Sequence, residues 1–143
     1  MIRFAMFAFA VFLLPLATTA ASGADLTVTV KQVHNSTGTV YLAVYDETSF
    51  GKPELARVRQ RAAAAKGDVS FVIHNLPAGK YAVASFHDED GNGKLEMNPL
   101  GIPTEGYGFS NDAHGSGGPP AFAQAAFDFD GETAKSIAFS LNY

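Results

Sequence analysis

From residue 25 onward the chain is punctuated by short runs in which apolar and polar side chains alternate. Leu26-Thr27-Val28-Thr29-Val30-Lys31 keeps a strict period of two, the pattern of a strand with one buried face. Gly38 to Asp46 is rich in β-branched and aromatic residues and reads as a second strand, and the turn-forming Asn35-Ser36-Thr37-Gly38 predicts that the two pair as a hairpin. Val69 to His74 gives a third strand, with Val69, Phe71 and Ile73 on one side. Asn75-Leu76-Pro77-Ala78-Gly79 turns the chain into a fourth, Lys80 to His87. Ala123 to Phe129 and Lys135 to Leu141 are the last two, joined at Asp130-Gly131; Phe127 and Phe129 supply one apolar face, and Ile137, Phe139 and Leu141 the other. The stretch from Pro53 to Lys66 supports two readings. Pro53 can open a helix with Leu55, Val58, Ala62 and Ala65 on one face, yet Arg57-Val58-Arg59-Gln60-Arg61 also alternates as a strand does. Six strands, or seven with this stretch, predict an all-β fold: an antiparallel, immunoglobulin-like β-sandwich.

The first 24 residues follow another rule. A cationic start at Arg3, an unbroken apolar run from Phe4 to Leu16 and a small, polar tail to Ala24 form the layout of a cleaved secretory signal peptide. The apolar run is short for a membrane span. Cleavage after Ala20, Ala21 or Ala24 satisfies the small-residue rule and leaves a domain of residues 25–143. The whole chain carries 10 Lys+Arg against 14 Asp+Glu, and losing Arg3 leaves 9 against 14, a formal −5. An acidic domain is a poor match for nucleic acid, because phosphate contacts need a basic surface. The three Arg at 57, 59 and 61 beside an Ala run read as a solvated face. Cysteine is absent, so no disulfide or thiolate chemistry is available. These features predict an exported protein, periplasmic or extracellular, with no transmembrane segment after cleavage.

One stretch carries chemistry. In Asp88-Glu89-Asp90-Gly91-Asn92-Gly93-Lys94-Leu95-Glu96, side-chain oxygens fall on alternate residues and a Gly follows the third. Calcium needs about six to eight oxygens at roughly 2.3–2.6 Å, and a loop whose every second residue points inward supplies them compactly. Asp88, Asp90 and Asn92 fit D-x-[DN]-x-[DN]-G, the Lys94 carbonyl follows as a backbone ligand, and Glu96 falls next in line. Pro99 stands where an EF-hand has its bidentate Glu, and a strand precedes the loop, so the stretch is not an EF-hand. The closing carboxylate must return from further along, from Glu105 or Asp112, with Asn98 able to add an amide oxygen. A solvated acidic turn, its Asp and Asn side chains capping the backbone, is the plain alternative. The long segment 88–120 continues through Tyr107 and Phe109. These either pin the loop to the sandwich or form a stacking platform for a glycan or protein partner. Enzymatic chemistry has weaker support: His87 with the acidic loop, or with Ser110, Asp112 and His114, matches no hydrolase or zinc spacing.

Three stretches together resemble a known family. Leu76-Pro77-Ala78-Gly79-Lys80-Tyr81-Ala82-Val83, His87 to Leu95, and Gly101-Ile102-Pro103-Thr104-Glu105-Gly106-Tyr107-Gly108-Phe109-Ser110-Asn111 are similar to the secreted bacterial proteins grouped as domain of unknown function 2141. The resemblance covers essentially the whole mature chain and implies a signal-peptide-bearing, single-domain β-sandwich without an established activity. The usual family loop is D-x-N-x-N-G-x-x-D-x-N; Asp90 and Glu96 replace its second and fourth oxygen-bearing residues here, and both keep an oxygen. The Leu-Pro-x-Gly-x-Tyr turn is also similar to that of transthyretin-like sandwiches, which bears on fold alone. The expected protein is therefore an exported, non-enzymatic β-sandwich with a calcium-stabilised loop that presents a binding surface. An envelope-associated hydrolase using His87, and a metal-free structural envelope protein, are its alternatives.

Overall fold

A computed structural model of the protein describes residues 23–143; residues 1–22 of the expected leader, with cleavage points at Ala20 and Ala21, lie outside the described residues, whereas Ala24, its last residue, opens the first strand and donates its N–H to the Gly131 carbonyl at 2.9 Å. Eight strands are present among them: β1 (Ala24–Val33), β2 (Thr39–Tyr45), β3 (Val58–Ala63), β4 (Gly67–Leu76), β5 (Gly79–Asp88), β6 (Tyr107–Phe109), β7 (Phe127–Phe129) and β8 (Lys135–Ser140). They form two sheets, one of order β4-β1-β8 and one of order β3-β2-β5-β6, with β7 paired to the early part of β5. The inner rows interlock as the alternation predicts. Leu26, Val28, Val30, Val69, Phe71, Ile73, Phe139 and Leu141 of one layer meet Val40, Leu42, Val44 and Val83 of the other. The domain is the expected β-sandwich, with a well-shielded apolar interior between its layers.

Pairing departs from expectation in three places. β1 and β2 do not form a hairpin: β1 pairs with β4 and β8, whereas β2 pairs with β3 and β5. The chain leaves β1 through an irregularity between Val30 and Val33, with Gln32 at φ 61°, and crosses to the other layer. The two strands therefore face each other across the core. The sandwich is also not wholly antiparallel as expected: β7 joins β5, and β8 joins β1 and runs parallel to it. Finally, residues 123–125 are not strand. Phe122–Ala125 is a single helical turn whose Gln124 Oε1 accepts the Ala121 N–H at 2.8 Å, and only Phe127–Phe129 is extended.

The stretch with two readings resolves as a 3₁₀ turn over Pro53–Leu55 followed by β3. Pro53 opens the turn, but Val58, Gln60 and Ala62 then alternate inward against β2, leaving Arg57, Arg59 and Arg61 exposed. Among the described residues no helix is long and apolar enough to cross a membrane.

Candidate metal centre

β5 carries the chain directly into the acidic loop. Strand alternation sends His87 inward and its neighbour Asp88 to the opposite side, so the two cannot serve one site. The imidazole is fully buried, with Nε2 2.7 Å from the Thr37 carbonyl and Nδ1 2.8 Å from the Tyr143 hydroxyl. It holds the sandwich end together and has no exposed nitrogen to offer a substrate.

Asp88 organises the loop. Its carboxylate is buried, and Oδ1 accepts the N–H groups of Gly91 and Asn92 at 2.9 and 3.2 Å while Oδ2 accepts that of Gly93 at 2.8 Å. Gly93 sits at φ +76°, the left-handed conformation this tight winding requires and for which a Cβ is unfavourable. Asp90 is exposed and accepts from the backbone N–H of Asn92 at 3.0 Å.

The other half of the site arrives from residue 105. Asn98 to Ile102 forms a tight reversal in which Asn98 Oδ1 accepts the N–H groups of Leu100 and Ile102, and Thr104 N–H then donates to the Glu96 carbonyl. This returns Glu105 to the loop as a buried carboxylate. Its Oε1 accepts the Glu89 N–H at 3.0 Å and its Oε2 the Glu96 N–H at 3.1 Å, so one side chain clamps both ends of the acidic stretch. Asp88, Asp90 and Glu105 then each present a carboxylate oxygen, all within 4.8 Å of one another.

The other expected ligands stand as follows. Asn92 turns its amide nitrogen toward Asp90 Oδ2 (3.1 Å) and Glu96 Oε1, while its oxygen accepts the Lys94 N–H at 2.8 Å. Glu96 is exposed and outside the three-carboxylate group. The Lys94 carbonyl accepts no hydrogen bond from the described residues. Asp112 is committed elsewhere, to the Ser140 N–H at 2.8 Å, and Asn98 is used up by its own turn. Ser110 is buried, accepting from Val83 N–H at 2.9 Å and donating to the Ala125 carbonyl, while His114 is exposed. Tyr107 and Phe109 form β6, opposite Phe86 and Ala84 of β5, and Phe109 packs edge-on against Phe50.

Electrostatics favour a cation here. Each of the three carboxylates keeps lone pairs beyond those taken by N–H donors, and among the described residues no Lys or Arg forms an ion pair with any of them. Crowded carboxylates, two of them buried, make an arrangement that a metal ion could neutralise. Two features the sequence reading did not reach support the loop from below. Asn35 Nδ2 donates to Glu89 Oε2 at 3.2 Å, and Tyr41 extends its hydroxyl toward Gly93. Both residues precede the loop by some fifty positions; the β2–β5 register brings Tyr41 near it, and Asn35 lies in the turn that leads into β2.

Residues 28–137 match the sequence model of a family described as an uncharacterized protein conserved in bacteria (DUF2141). Neither a curated protein nor a solved structure matches the chain.

Proposed function

The chain belongs to DUF2141, and on that premise we propose that it is an exported, non-enzymatic β-sandwich whose acidic loop binds calcium and so presents a binding surface. The convergence of Asp88, Asp90 and Glu105 oxygens within 4.8 Å supports this reading above all else. On this reading Asn92, the Lys94 carbonyl and water add to the three carboxylates, and Glu96, which the Asn92 amide holds outside them, joins only by turning inward. Export rests on the layout of residues 1–24.

A site with a Kd near 0.1 mM, in free calcium of about 1 mM, adds roughly 1.4 kcal/mol to folding. For a domain of this size that raises the melting temperature by about 5 °C. The test is a thermal melt with millimolar calcium and with EGTA, alongside calorimetric titration of calcium. Asp90→Ala removes an exposed ligand whose hydrogen bonds run to Asn92 alone and should abolish the calcium response; Asp88→Ala with Asp90→Ala should do so too. An unchanged melt and no binding heat in the native protein would overturn the reading.

A further inference from the structure

The outer face of the five-stranded sheet is only partly covered, by Phe50 over Tyr45 and Phe109 and by the acidic loop. Because Val40, Leu42 and Val44 face the core, Tyr41, Ala43 and Tyr45 project outward. The registers then set two rungs across the sheet. One runs through Arg61, Tyr41, Phe86 and Tyr107; the next runs through Arg59, Ala43, Ala84 and Phe109. Small side chains at the centre of the second rung, between large ones, leave a trough. Ala43 and Ala84 form its floor, while Tyr41 and Phe86, stacked at 5.0 Å with rings 9° apart, stand on one side and Phe109 closes one end. Leu95 and Met97 of the acidic loop complete the lining, and the trough measures about 520 Å³. That lies within the roughly 300–1,000 Å³ range of small-ligand sites.

The chemistry of the lining restricts the occupant. Its walls are overwhelmingly apolar, which disfavours a glycan, because each sugar hydroxyl buried there would need a partner the walls do not supply. One end is different. Arg59 lies on the edge strand, its guanidinium held on the Pro53 carbonyl through Nε at 3.1 Å and through Nη2, which leaves Nη1 free. Arg61 stands beside it on the same face, and among the described residues neither has a carboxylate partner, whereas Arg57 is paired with Asp46. Arg59, without a carboxylate partner, thus stands at one end of an apolar trough, with Arg61 one rung away and outside its lining, and such a cation selects an anionic head on an apolar body.

We propose that this trough binds a small amphipathic anion, such as a long-chain carboxylate, with its apolar body over Ala43 and Ala84 and its head at Arg59. The inference deepens the proposed function by naming the ligand of the surface the loop presents, and it rests on that reading because the acidic loop supplies Leu95 and Met97. The calcium-bearing loop and the ligand thus share a wall.

Two dyes that differ in one group provide the test. 1-Anilinonaphthalene-8-sulfonate is anionic, and N-phenyl-1-naphthylamine is the same ring system without the sulfonate. Both are titrated into the native protein, in calcium and in EGTA. Both should bind, the sulfonate about tenfold more tightly, as expected for one charge-assisted contact, and dodecanoate should displace both. Arg59→Gln should remove the tenfold preference and leave the neutral dye unaffected. Ala84→Trp should fill the trough and abolish both signals, with Ala43→Leu as a milder filling variant if Ala84→Trp lowers the melting temperature. Failure of both dyes in both buffers overturns the trough, even where calcium shifts the melt, and leaves the metal reading standing. A preference that survives Arg59→Gln, or binding that survives both filling variants, also overturns it. Binding that is equal in EGTA and lost in the filling variants supports the trough and leaves the metal to the melt and the calcium titration.

Discussion

The Tyr143 hydroxyl and His87 Nδ1 lie 2.8 Å apart in a site where the imidazole has no solvent exposure. The Thr37 carbonyl can only accept, so the Nε2 facing it carries the ring proton, and in the neutral ring Nδ1 accepts from Tyr143. The phenol oxygen in turn accepts the His34 N–H at 3.1 Å, and the His34 and Tyr143 rings stack at 3.4 Å. Tyr143→Phe leaves a buried ring nitrogen without a donor, which costs about 1–3 kcal/mol. Urea denaturation should register that loss; a variant within about 0.3 kcal/mol of native would show the bond to be dispensable. Gly106→Ala should act through the same contact, since a Cβ there would lie 2.3 Å from Tyr143 Cζ. The double variant should therefore be less destabilised than the sum of the two.

Glu105 separates the metal's contribution from the loop's own hydrogen bonds. Glu105→Gln keeps an acceptor for one of the Glu89 and Glu96 N–H groups but removes a charge from the carboxylate cluster. Calcium affinity should fall by about tenfold or more, roughly 1.4 kcal/mol or above. In EGTA the melting temperature should move much less, because the lost hydrogen bond is partly offset by relief of like-charge crowding. Calorimetry and paired melts check both halves of this expectation. A calcium response as large as that of the native protein would remove Glu105 from the shell.

Ser110 should behave as a structural residue. It is buried, and Ser110→Ala strands the Val83 N–H and the Ala125 carbonyl together, at a cost of about 1–3 kcal/mol. The lower stability should come without any change in calcium affinity, which titration of the folded variant would show.

Alkaline pH should weaken the fold before it reaches ordinary tyrosine chemistry in the native state. Burial raises the phenol pKa values of Tyr45, Tyr81 and Tyr143 above the usual 10.0, with neighbouring Glu54, Asp46 and Glu89 respectively adding to the rise. Their contribution is fully present below the unfolded-state pKa. As pH climbs past it, the unfolded chain releases protons that the folded one retains, and stability falls. Urea midpoints measured from pH 9 upward should decline from about pH 10. Tyr45→Phe should flatten that decline.

Asp46 gives the opposite dependence in acid. Hydrogen bonds from Thr48, then those from Arg57 and Ser49, hold its pKa well below the ordinary carboxylate value. The resulting stabilisation is present above the unfolded-state pKa and is lost as pH falls through the range below about 4. Asp46→Asn should reduce the slope of urea midpoint against pH there, while a slope equal to the native one would assign the acid sensitivity elsewhere.

Individual strands were readable from the chain because alternation reports burial directly: Val28, Val30, Val40 and Leu42 all face the core. Partnership was not readable, because alternation is the same whether two strands lie side by side or stack across a core. The turn at Asn35 to Gly38 is equally compatible with either geometry, and Gln32 in the left-handed region decides it. For the acidic loop, the local half of the site was legible in its spacing. Glu105 could be named from the return turns, but the choice over Asp112 depended on Ser140, whose N–H draws the latter away. Tyr41 and Asn35 carried no local signal at all, since the β2–β5 register brings Tyr41 beneath the loop and Asn35 lies in the turn that leads into β2.

The parallel pairing of β1 with β8 has a consequence for the order of events in folding. β1 is the central strand of its sheet, yet one of its two neighbours is built from residues 135–140, more than a hundred positions downstream. Closing so long a loop before its contacts form is entropically costly, and sheets of this kind assemble slowly, on the order of milliseconds to seconds. Phe139, among the most deeply buried side chains, comes with that strand. Until it docks, the inner row of β1 stays partly uncovered, so the core cannot close until residues 135–140 are in place.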